Sequence, residues 1–277
     1  MANFRNGIST PSAHPLRGIS PRPSAPPAPV LRKPEDLFAQ RPAESPTQDA
    51  PPRTLAAPSA GTSLNFVQSP RLGPDDRVLH IGDSHTVGIY GQEMDKHLRS
   101  TGAQVETYGS AGSSPHWWIS GRNTRSGFFG RNAAEETTRP ARWNDPHPTP
   151  KLKELLERFR PNVVMFSLGA NMIHNSAENI EQQMRQIADM AKSYGTDIIW
   201  VGPPDGRESK KSTANQNRLC QTLERVAQNY GDFIDSRPLT EYPATGGDGV
   251  HYGGKEGSRR AKAWAESVFE QIQGSTP

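Results

Sequence analysis

The stretch Arg77-Val78-Leu79-His80-Ile81-Gly82-Asp83-Ser84-His85-Thr86 joins a short apolar run to a glycine, an aspartate and a serine. An apolar run of this length, bounded by turn formers, predicts a strand buried on both faces of a parallel sheet. Gly82 and Asp83 break the run, and the residues from Thr86 to Leu98 have helical character. Ser84 therefore stands between a strand and a helix N-terminus. Serine is a favoured helix N-cap, and taken alone the stretch asks for nothing more. The same position also suits a nucleophile. Its hydroxyl projects from the carboxyl edge of the sheet, and its backbone N–H can point at a developing oxyanion.

Outward from this stretch, strand candidates at 77–82, 104–108, 162–168, 196–201 and 232–235 alternate with helical segments near 86–100, 151–159, 177–194, 212–229 and 255–272. In the third of these segments Ile180, Met184, Ile187, Met190 and Ala191 share one helical face. The alternation predicts an α/β fold with a parallel sheet covered on both sides. Such sheets bind ligands at the carboxyl ends of their strands. Gly112, Gly169-Ala170-Asn171 and Val201-Gly202-Pro203-Pro204 all follow strand candidates at that edge, the last shaping the wall of a cleft.

So does Gly246-Gly247-Asp248-Gly249-Val250-His251-Tyr252-Gly253-Gly254, ahead of the last helical segment. Glycines on both sides free the backbone to present Asp248 and His251 at one point, although a solvated turn with an incidental histidine has the same spelling. Ser84, His251 and Asp248 supply a nucleophile, a general base and a carboxylate to orient that base. The N–H groups of Ser84 and Gly112 and the amide of Asn171 add three oxyanion donors. That set is sufficient for acyl transfer from an ester.

The order Ser, Asp, His also occurs in α/β-hydrolases, whose nucleophile elbow is G-x-S-x-G. Gly82-Asp83-Ser84-His85-Thr86 lacks the second glycine. The chain instead resembles the SGNH (GDSL-type) hydrolase superfamily over roughly residues 76–273. Gly82-Asp83-Ser84-His85 is similar to its first block, Gly112 to the second, Leu168-Gly169-Ala170-Asn171 to the third and Asp248-Gly249-Val250-His251 to the fifth. The resemblance implies a three-layer flavodoxin-like fold with five parallel strands ordered 2-1-3-4-5. It implies catalytic Ser84, Asp248 and His251, and an oxyanion hole of Ser84, Gly112 and Asn171. Met172 stands where many members carry an aspartate that supports the loop. The Asp83-Ser84-His85-Thr86 spelling is similar to a subset that includes bacterial carbohydrate and peptidoglycan O-acetylesterases.

Composition bounds the remainder. The chain has 277 residues, 32% of them hydrophobic, and a mean hydropathy of −0.76. That is low for a chain folded throughout. Much of the proline lies in residues 1–70, as in Pro21-Arg22-Pro23-Ser24-Ala25-Pro26-Pro27-Ala28-Pro29. Residues 1–72 are therefore expected to form a disordered tail with polyproline-like character, and residues 73–277 the folded domain. The tail would serve as a tether, as a docking segment for a partner or export machinery, or as a passive linker.

The first residues, Met1-Ala2-Asn3-Phe4-Arg5-Asn6-Gly7-Ile8, have no apolar h-region, and no run reaches the length of a membrane span. The expected location is cytoplasmic, or outside the cell by a route other than a Sec-type signal peptide. Cys220 is the single cysteine, and the histidines lack metal-site spacing, so no metal and no cofactor is expected. A net charge of +3 makes a dedicated nucleic-acid protein unexpected.

One connection is too long for an ordinary loop. Residues 114–150 carry Trp117, Trp118, Phe128, Phe129 and Trp143 among five arginines. The adjacent Trp117 and Trp118, just beyond an oxyanion residue, are expected either to form a platform for a sugar ring or to cover the sheet edge. The function expected is that of a serine esterase removing O-acetyl or another short acyl group, from a carbohydrate or small-molecule ester. The alternatives are a lipid esterase or acyl thioesterase on the same machinery, or a non-catalytic carbohydrate-binding module.

Overall fold

The computed structural model describes residues 72–274. The expected tail and the N-terminal segment read for export lie outside the described residues, except that Leu72 is buried in the core.

The chain runs β1 (Arg77–Gly82), α1 (Ser84–Val87), α2 (Ile89–Ser100), β2 (Gln104–Ser110), α3 (Pro115–Ser120), β3 (Asn123–Thr124), β4 (Phe128–Arg131), β5 (Thr137–Thr138), β6 (His147–Pro148), α4 (Leu152–Phe159), β7 (Val163–Ser167), α5 (Ala177–Ser193), β8 (Asp197–Val201), α6 (Thr213–Ala227), β9 (Asp232–Ile234) and α7 (Gly254–Ile272). The main sheet is ordered β5-β4-β2-β1-β7-β8-β9. Its last five strands in that order are parallel. Numbered among themselves, they follow the expected order 2-1-3-4-5. Two short antiparallel strands, β4 and β5, extend the edge beside β2.

Side chains alternate across this sheet with the strand period. Leu79, Ile81, Val164, Phe166, Ile198 and Trp200 pack under α3, α4, α5 and α6. Val78, Val163, Met165, Ile199 and Val201 face α2 and α7. A helical layer thus lies on each face, and the strands between them must be apolar on both sides.

The helical segment expected over 86–100 is two helices, parted at Gly88. Gly88 has an extended backbone and caps both helices. Further on, a Cβ on Gly91 would come within 2.0 Å of the Thr86 carbonyl, so the short helix can fold against α2 only where a side chain is missing.

Residues 114–150 are not an open loop. They form α3, the small β3–β6 sheet and the edge strands, tied down by buried Trp118, Phe128 and Phe129. The Phe128 ring stacks on His147 at 3.8 Å. Arg99 and Arg131 converge on the buried Asp95 carboxylate at 3.0 and 2.9 Å, fastening β4 to α2. No helix among the described residues is long and apolar enough to cross a membrane.

Candidate active site

Ser84 stands at the first position of α1, directly after β1 and Asp83. The turn is as tight as the sequence suggested. A Cβ on Gly82 would lie 1.9 Å from Thr86 Oγ1 and 2.8 Å from the Ser167 carbonyl oxygen, so no other residue fits there. Asp83, not Ser84, is the N-cap: its carboxylate accepts the His85 backbone N–H at 3.0 Å, and its carbonyl accepts those of Thr86 and Val87. The Ser84 hydroxyl is thus left to other partners, and its N–H has no acceptor within the helix.

The loop ahead of α7 delivers the partners. Ser84 Oγ lies 3.0 Å from His251 Nε2, and His251 Nδ1 lies 2.6 Å from Asp248 Oδ2. The second oxygen of Asp248 accepts the N–H groups of Val250 and His251 at 2.8 and 2.7 Å, which folds the loop around its carboxylate. Burial acts to raise the Asp248 pKa, but these hydrogen bonds outweigh it and hold the carboxyl well below its usual range. His251 and Asp248 remain about half exposed in their side chains, so substrate and water can reach them.

Gly112 adopts φ +84° in the turn after β2, and its N–H makes no hydrogen bond to protein among the described residues. Asn171 sits in a 3-10 turn (Ala170–Met172) after β7, where it donates one amide hydrogen to the Ser113 carbonyl at 2.9 Å. Its other amide hydrogen is left over. Met172 is fully buried in the core, so packing supports this turn.

Ser84, Gly112, Asn171 and His251 all line one cleft of about 610 Å³. It has an apolar end at Val87, Ile89, Tyr90, Ala261 and Trp264, where the Tyr90 and Trp264 rings stack at 3.6 Å. Ser126, Arg139 and Trp143 also line it. Here the expectation of a platform at Trp117 and Trp118 is corrected. Trp118 is wholly buried, its indole N–H donating to Ser113 Oγ, because the residue next to the turn is needed to fill the core. Trp117 packs beneath the Arg122 guanidinium and reaches the back of Gly112, and it does not line the cleft.

Several contributing residues carry no sequence signal of their own. The buried Tyr242 hydroxyl donates to the His251 carbonyl at 3.0 Å and accepts the Gly249 N–H at 3.0 Å. The segment after β8 braces the same loop: Arg207 N–H donates to the Gly249 carbonyl at 2.9 Å, and Asp205 accepts the Tyr242 N–H at 2.8 Å. Lys211 from that segment is buried, which lowers its pKa, and its charge acts on both Asp83 and Asp248. Burial pushes Asp83 up to about 6, opposed by the His85 N–H and by the charges of Lys211 and His251. Among the described residues no group of three or more His, Cys, Asp or Glu side chains is placed to hold a metal ion.

The arrangement as a whole can transfer a proton from a hydroxyl to an imidazole and receive an oxyanion beside it. No profile of a known protein family matches the chain. A protein named BcsX from Komagataeibacter xylinus is 29% identical over 186 residues, 63% of this chain and 69% of that protein. Among solved structures, the fold is that of SGNH hydrolases. A catalytic mutant of Axe2, an acetylxylan esterase from Geobacillus stearothermophilus, is similar at 16% identity with a TM-score of 0.50, over 73% of this chain and 96% of that one. A protein described as an SGNH hydrolase from Slackia heliotrinireducens is similar at 15% identity and a TM-score of 0.50, over 71% and 98%.

Proposed function

We propose that the protein is a serine esterase that hydrolyses short-chain acyl esters, O-acetyl above all, on a carbohydrate. The observation that carries this reading is the unbroken hydrogen-bonded line Asp248–His251–Ser84, at 2.6 and 3.0 Å, whose Ser84 and His251 line the cleft. Its members come from opposite ends of the domain, 167 residues apart, and a folding requirement alone does not call for them to meet.

In the proposed mechanism Ser84 Oγ attacks the ester carbonyl carbon while His251 Nε2 takes the hydroxyl proton. Asp248 accepts the Nδ1 hydrogen, which selects the tautomer with a free lone pair on Nε2 and stabilises the imidazolium that forms. The carbonyl oxygen, now an oxyanion, is bound by the N–H groups of Ser84 and Gly112 and by the remaining Asn171 amide hydrogen. Collapse returns the proton from His251 to the departing alcohol and leaves Ser84 acylated. Water then attacks the acyl carbon, giving its proton to His251, and the acid departs as Ser84 regains its hydrogen. Each step balances without a cofactor.

The carbohydrate is taken over from the likeness to Axe2, an acetylxylan esterase. A second reading has its own observation: the apolar end of the cleft, at Val87, Ile89 and Ala261, suits a longer acyl chain and hence a lipid ester or thioester. Turnover of an ester series from two to eight acyl carbons separates the two. The first reading requires a fall beyond four carbons, and a rate that climbs to eight carbons supports the second. A fluorophosphonate probe should label the wild type and leave Ser84→Ala unlabelled. An unlabelled wild type would instead point to a non-catalytic binding module.

A further inference from the structure

Trp143 is out of place by the ordinary rules of burial. The residue is 62% exposed, and the only other large hydrophobic residue exposed among the described residues is Tyr194, at a separate site beside Leu156 and Arg160. An exposed indole leaves apolar surface in water that burial would otherwise remove, at a cost of some kilocalories for a whole side chain. Trp143 does this at the rim of the cleft that holds Ser84.

The ring is also seated. A Cβ on Gly127 would come within 2.6 Å of the six-membered ring of Trp143, so the indole lies directly on the Gly127 backbone. Gly127 has φ +105°, a conformation that other residues resist, so its missing side chain serves both the turn and the seat. That seat is tied to the oxyanion turn. The Gly127 carbonyl accepts the Ala111 N–H at 3.0 Å, and Thr124 Oγ1 donates to the Ala111 carbonyl at 2.8 Å. The indole thus rests on backbone that is hydrogen-bonded to Ala111, the neighbour of Gly112, and Trp143 lines the cleft. Beside it Arg139 rests on the Phe129 ring at 4.8 Å and pairs with no carboxylate among the described residues.

We propose that Trp143 is the stacking platform for the sugar ring that bears the ester, with Arg139 donating hydrogen bonds to that ring's oxygens. This rests on the esterase reading above and names the part of the substrate that the reading leaves open. A pyranose ring presents a face of C–H groups that packs on an indole, and a rigid indole costs little entropy to use. The guanidinium, held over the Phe129 ring, supplies planar donors.

The test compares an acetylated xylo-oligosaccharide with ethyl acetate, which has no ring to stack. Trp143→Ala should lower the ratio of kcat/KM for the saccharide ester over that for ethyl acetate by about tenfold or more, mainly through KM. Trp143→Phe should recover most of the loss. In a Ser84→Ala background, the saccharide should change tryptophan fluorescence, and removal of Trp143 should abolish that change. Equal losses on both esters, or a fluorescence change that survives Trp143→Ala, would overturn the platform. The two readings fail separately. Saccharide binding that needs Trp143 in a protein with no ester turnover keeps the platform and removes the esterase. Ethyl acetate turnover without saccharide binding does the reverse.

Discussion

Two aspartates flank the serine in the folded chain, and their surroundings divide the work. Asp83 is buried, its carboxylate spent on the His85 N–H, while Asp248 is open to solvent and aimed at the His251 ring. Only the second can hold an imidazole tautomer. Ser84→Ala and His251→Ala should therefore each lower kcat on an acetyl ester by roughly 10³-fold or more, with little further loss when combined. Asp248→Asn should lose up to about 10⁴, because an amide favours the wrong tautomer. Asp83→Asn, which retains an oxygen for the His85 N–H, should lose far less. The measurement is kcat for each variant, with folding checked by circular dichroism. A severe loss at Asp83 beside a mild one at Asp248 would reverse the assignment of the triad.

At the scale of elements, the loop that carries Asp248 and His251 is not held by a strand or helix of its own. Gly247 and Gly249 have φ of +61° and +89°, and a loop built on such residues needs outside support to stay in one conformation. Tyr242 supplies it, bonding to both the Gly249 N–H and the His251 carbonyl. Tyr242→Phe keeps the ring packing against Tyr252 and removes only the hydroxyl. It leaves the buried Gly249 N–H without a partner, a cost of about 1–3 kcal/mol where the loop cannot relax. The expected result is a fall in kcat of about tenfold with KM little changed, and a modest loss in urea stability. Wild-type kcat in a fully folded Tyr242→Phe would mean that the loop is positioned by other contacts.

Across the whole molecule, buried ionisable groups make stability depend on pH in opposing directions. Burial lowers the His80 pKa to about 4 and holds His85 well below its ordinary value. Between about pH 4 and 6.5 the unfolded chain then binds more protons at these histidines than the folded one, so stability from them rises with pH and is lost on acidification. Asp83, raised to about 6, has the opposite sign: the folded chain binds the extra proton, and stability from it falls as pH rises from about 4 to 6. Asp83→Asn removes the falling contribution. Its advantage over wild type should be small near pH 4 and grow to the order of 3 kcal/mol above pH 6. Urea denaturation of both proteins at pH 4.5 and 7.5 tests this, and a larger advantage at the lower pH would contradict the burial of a charge at Asp83.

The features legible in the chain are local in origin. Apolar runs at strand length, helical faces such as Ile180–Met184–Ile187, and glycines where the backbone turns sharply are written within a few residues of where they act. The five parallel strands and the placing of Ser84, Gly112, Asn171, Asp248 and His251 at one sheet edge were legible for that reason. The edge strands β4 and β5 were not, since four and two residues are too short for a period to show. Nor was the break at Gly88, which depends on how Gly91 meets Thr86. Which tryptophan enters the core and which stands in the cleft depends on long-range contacts, because Trp117, Trp118 and Trp143 look alike in sequence. Their fates depend on what lies across from them: Ser113 for one, Arg122 for another, the bare backbone of Gly127 for the third. Burial is a property of the partners a side chain meets, and those partners are distant in the chain.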